Sequence, residues 1–169
     1  MKLAMAVIVV LTWSAYSQQK DSPASPSGQH CEMEKRGDDA MGFSHEKTTH
    51  HFLLFNDGGA IDVQANDPTD KTRRDEIRMH LSHIAELFAE GNLNVPMFIH
   101  GTTPPGVPVM EKLHDQIQYK FQETEAGGRV RIRTEDKQAI KAVHEFLKFQ
   151  IAEHQTGDST NIRDDGSAK

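Results

Sequence analysis

A stretch of 43 residues, 48–90, does most to limit what this chain can fold into. It opens with Thr48 to Phe55, where strict alternation puts His50, Phe52 and Leu54 on one face of a strand and His51, Leu53 and Phe55 on the other. Asn56-Asp57-Gly58-Gly59 then supplies the residue types that tolerate positive φ in a tight hairpin. The return strand points Ile61, Val63 and Ala65 inward and Asp62 and Gln64 outward. After Asn66-Asp67-Pro68 a helix is predicted over about 71–90, with Ile77, Leu81, Ile84 and Phe88 at helical spacing and His80, His83 and Leu87 on the stripe beside them. Gly91 is placed to close it.

The same order recurs downstream. Residues 117–121 alternate, Glu125-Ala126-Gly127-Gly128 turns, and 129–133 alternate again. A helix over 136–154 follows, with Ile140, Val143, His144, Leu147 and Ile151 inward, Thr134 or Asp136 as its cap and Gly157 as its end. Between the two units, 95–108 reads as an irregular link carrying Pro96, Pro104, Pro105 and Pro108, with a short helix over about 109–116. The Gly-Gly turns and closing glycines align, which suggests a duplicated ββα unit. The expected fold is α+β, a four-stranded antiparallel sheet with helices packed on one face.

The ends read differently. Residues 1–17 combine Lys2, an apolar run and Ala15 and Ser17 at the close, the pattern of a cleaved signal peptide. The run falls short of the roughly 20 apolar residues that a bilayer span needs. Residues 18–40 hold so much Ser, Pro, Gly and charge that they are expected to be a flexible leader. The domain is set at 41–158 and a polar tail at 159–169, and the chain past Gly157 is expected to be loose. This describes an exported protein, periplasmic or secreted, with no membrane span. The 169 residues carry 19 basic and 25 acidic side chains, a balance of 19 − 25 = −6 that disfavours a nucleic-acid partner. The single cysteine, Cys31, allows no internal disulfide but could form an intermolecular one with an envelope partner.

Chemistry is suggested mainly by ten histidines. Neutral imidazole is the commonest protein ligand for zinc and copper. His80 and His83 are three apart on a helix, so both rings can point to one side, and His50 or His51 comes from a strand of the same unit. Those four are the first candidate ligands. Met97 and His100, with Met110 nearby, form a softer set, since thioether with imidazole favours Cu(I). Each has a plainer explanation: histidines bonded at the core margin and methionines filling gaps. His144, on an apolar stripe, is expected to be a satisfied core histidine. His154 stands near a helix end, where a cationic ring would complement the dipole. The Arg129, Arg131 and Arg133 row is expected to be a solvated sheet face before it is an anion site. No catalytic nucleophile motif, phosphate loop or dinucleotide fingerprint is present.

Residues 41–52, MGFSHEKTTHHF, together with Pro104-Pro105-Gly106-Val107-Pro108 and the run from Val143 through His154 to Asp158, resemble a family of small exported bacterial proteins. The resemblance covers residues 41–158 and implies no established activity. Such proteins are sometimes called carbamoyltransferases. True carbamoyltransferases are longer two-domain chains with a Ser-Thr-Arg-Thr phosphate loop, and Lys71-Thr72-Arg73-Arg74 lacks that loop's serine and second threonine. The function expected from sequence is therefore non-catalytic binding of copper or zinc through His50, His51, His80, His83, Met97 and His100. The alternative is a protein–protein or small-ligand module with structural histidines; a small metal-dependent hydrolase stands third.

Overall fold

The computed structural model describes residues 26–164. The expected signal peptide, the leader up to residue 25 and residues 165–169 lie outside them. The fold is α+β. Strands β1 (Thr48–Phe55), β2 (Gly58–Ala65), β3 (Gln118–Glu123) and β4 (Gly127–Arg133) make one antiparallel sheet in the order β1-β2-β4-β3. Each hairpin leads to a helix, though two short helices intervene after the first pair.

Helix α2 (Lys71–Ala89) begins because the Asp70 carboxylate accepts the Arg73 N–H at 2.9 Å, and α5 (Lys137–Glu153) because Asp136 accepts the Ala139 N–H at 2.8 Å. The two lie on the same face of the sheet. A side chain at Gly128 would strike Leu81 of α2 and one at Gly59 would strike Leu147 of α5. Gly59 sits so close that its Cβ would also lie 2.4 Å from the Leu53 carbonyl oxygen, so only glycine lets α5 down onto the hairpin. The core fills the space between, with Leu54, Ile77, Leu93, Val130, Val143 and Leu147 fully buried. Gly91, at φ +76°, ends α2 as expected. Helix α5 stops earlier than Gly157, with Gln155 taking the left-handed turn at φ +50°.

Three expectations need correction. Pro26–Met41 form helix α1 rather than flexible leader, because Met33 is buried and the Arg36 guanidinium donates to the Ile99 carbonyl at 2.8 Å. The proline-rich link contains α3 (Asn94–His100) and leads into α4 (Val107–Lys112), which starts two residues earlier than predicted. Pro96 and Pro108 both fall in a first turn, where the missing N–H has no intrahelical partner to lose. The described part of the tail is not loose: the Arg163 N–H donates to Leu54 O at 2.9 Å and Asp158 caps the Phe52 N–H at 3.0 Å, so the tail covers the free edge of β1. Among the described residues no helix is long and apolar enough to cross a membrane.

Candidate functional site

A cavity of about 290 Å³ opens where β1, α2, α3, α5 and α1 meet. Its floor is apolar, with Phe52, Val63, Leu81, Ile84 and Phe146 contributing. Six histidines reach it: His50 from β1, His80 from α2, His100 from the end of α3, His154 after α5, His30 from α1, and His45 from the turn leading to β1. Strand alternation and helix spacing, with no motif, put these rings in one place.

His154 touches two other imidazole rings. His50 and His154 stack with centroids 6.0 Å apart and planes 8° from parallel; His100 meets His154 edge-on at 5.1 Å. His80 stands edge-on to Phe43 at 5.8 Å. Burial holds these imidazoles neutral, because an imidazolium would lose its hydration, and their charges would oppose one another. His50 and His80 are lowered to about 4 and His154 to about 3, while His100 is lowered less because Gln150 and Glu153 act the other way. The ring nitrogens of His50, His80 and His154 make no hydrogen bond to another described residue. His100 Nε2 lies 2.9 Å from Gln150 Oε1, yet its Nδ1 is buried without a partner, as is Gln150 Nε2. At the mouth, His45 Nδ1 lies 2.9 Å from Asp38 Oδ1, and Glu34 Oε1 lies 3.1 Å from His30 Nε2 and 3.6 Å from His45 Nε2.

Of the six ligands expected from sequence, His50, His80 and His100 come together here. His51 does not: alternation turns it to the other face of β1, where Asp158 holds its Nδ1 at 2.9 Å. His83 is exposed, one residue beyond the reach of the His80 stripe. Met97 is not among the residues lining the cavity; it packs half-buried against the core and accepts the Thr103 hydroxyl at 3.7 Å, and Met110 is fully buried in the core. His144 is the satisfied core histidine expected, its Nε2 2.8 Å from Phe55 O and 3.0 Å from Gly58 O. The expectation of a cationic His154 at a helix end fails, since its burial keeps it uncharged. Its place on the wall was still legible, seven residues after Leu147 and three after Ile151 on one apolar stripe.

The arginine row is bonded rather than open. Arg129 makes two 2.6 Å contacts with Asp62, Arg131 reaches Asp57 and lies over the Phe55 ring at 4.6 Å, and Arg133 approaches Asp57 at 3.2 Å. Among the described residues no three or more His, Cys, Asp or Glu side chains stand in a ready ligating array. Compared with known family models, with curated proteins and with solved structures, the chain finds no match in any of the three.

Proposed function

We propose that this protein binds a transition-metal ion, copper or zinc, in the histidine-lined cavity, and does so as an exported protein of the cell envelope. His100, His154 and His50 are the first ligands and His80 the next. The observation that carries the reading is His100. With the Gln150 amide oxygen facing Nε2, that nitrogen bears the proton, and the lone pair on Nδ1 is left buried with nothing to accept. Metal-bound histidines are held in this manner, one nitrogen donating to a fixed oxygen and the other presented to the ion. An unpaired buried acceptor otherwise costs about 1–3 kcal/mol. Neutral rings are also the form that ligates. The rings stand 5.1 and 6.0 Å apart by centroid, so an ion here draws them inward.

A second reading has its own support. The cavity is far larger than an ion needs and its floor is apolar, which suits a small organic ligand whose polar group meets the imidazoles. One experiment separates the two. The full mature chain is stripped with chelator, offered Cu(I) or Zn(II), and followed by elemental analysis and melting temperature. The metal reading expects a load that raises Tm and disappears in His100→Ala and His154→Ala. No load and no shift from either metal, with a small molecule released on denaturing the untreated protein, supports the ligand reading instead.

A further inference from the structure

Helix α1 brings two thioethers to the same cavity. Its wall residues His30, Met33, Glu34, Gly37 and Met41 recur at spacings of three and four, one stripe of a helix. Met33 is only 4 % exposed. The C-terminal half of the helix is tied down: Arg36 Nε bonds Ile99 O beside His100, and Asp38 takes both the backbone N–H and the ring of His45 at 2.7 and 2.9 Å. A thioether is a weak hydrogen-bond acceptor, so near unpaired imidazoles it does little for a polar guest. For a metal it matters a great deal. Thioether sulfur is soft and prefers Cu(I), whereas zinc is served by imidazole, carboxylate and thiolate.

We infer that Met33 and Met41 make this cavity selective for Cu(I) over Zn(II), so that α1 carries the site's choice of metal. The inference rests on the metal reading above and names which ion that site takes. No redox step is involved; copper enters and stays as Cu(I), bound by sulfur and imidazole nitrogen.

The test uses the full mature chain in a Cys31→Ser background, which removes the thiolate from the comparison. Cu(I) affinity is measured anaerobically by competition with bicinchoninate, and Zn(II) affinity by competition with a chromophoric chelator. In Met33→Leu with Met41→Leu, which keeps bulk and deletes sulfur, Cu(I) affinity falls by at least the roughly tenfold that even an outer partner of a metal site contributes. Zn(II) affinity stays as it was. X-ray absorption at the copper edge of the Cu(I)-loaded parent protein shows a sulfur shell that the double variant lacks, and this decides the matter on the parent alone if the variant folds poorly. A copper shell of nitrogen only, or Cu(I) binding unchanged in the double variant, overturns the role of α1 and leaves the metal reading standing. Failure of the parent to bind either ion removes the metal reading itself and this inference with it.

Discussion

His100 and Gln150 form one unit: the imidazole Nε2 rests 2.9 Å from the amide oxygen, while the ring's Nδ1 and the amide's Nε2 are both buried and unpaired. The two residues come from different helices fifty positions apart, so the fold itself sets the tautomer. Replacing the amide by an apolar group of similar size, Gln150→Leu, frees the ring and removes one orphan donor. Metal affinity is expected to drop about 10- to 100-fold, the usual effect of deleting such a partner. The melting temperature of the metal-free protein should hold or fall, because the lost orphan donor of Gln150 is offset by a buried His100 Nε2–H left without its acceptor. Chelator competition beside thermal unfolding checks both; an unchanged affinity would show that Gln150 does not orient a ligand.

Acid should weaken the metal-free fold through the cavity. The ordinary imidazole value is 6.5, and His50 and His80 are held to about 4 and His154 to about 3 by burial. The unfolded chain therefore binds more protons than the folded one between those limits. Stability is full above pH about 6.5 and is lost as pH falls toward 4. One such imidazole accounts for on the order of 3 kcal/mol over that window. Glu153 on α5 opposes the shift at His100, while burial and the neighbouring imidazoles all lower His50, His80 and His154. His154→Phe, which cannot titrate and adds to the packing on Phe52, should flatten the fall of Tm between pH 7 and 4.5. A slope equal to the parent's would mean that the rings are protonated as easily in the fold as outside it.

Asp158 tests the assignment of His51. Its carboxylate accepts the Phe52 N–H at 3.0 Å, the Thr156 hydroxyl at 2.7 Å and the His51 ring at 2.9 Å. Asp158→Ala leaves these groups unpaired at the β1 edge, at an expected cost of about 1–3 kcal/mol. Metal affinity should not change, because His51 points away from the cavity. Denaturant unfolding and chelator competition together read both; a loss of metal binding with intact folding would bring His51 back as a ligand.

The sheet and its two long helices were readable because periodicity states them openly. His50, Phe52 and Leu54 do face the core, and Ile77, Leu81, Ile84 and Phe88 are all buried. The site was only half readable. Alternation could have set His50 against His51, since Phe52 and Leu54 already marked the inner face. It took the tail's Asp158 to show what His51 does instead. The His80–His83 pair failed for a geometric reason: three residues advance about 300° around a helix, so one ring sits at the core edge while the other meets solvent. Helix α1 was hidden by composition, because its stripe carries His30, Glu34 and Gly37 beside its two methionines rather than a run of leucines. Its apolar partner is the cavity, and nothing local in the sequence announces that.

Titration of the stripped full chain with Cu(I) and with Zn(II), read by bound metal and by melting temperature, tests the central claim most directly. The account predicts a saturable load that raises Tm, is abolished by His100→Ala with His154→Ala, and survives His51→Ala with His83→Ala. A chain that takes up neither ion, or one whose load follows His51 and His83 instead of the cavity rings, would contradict it.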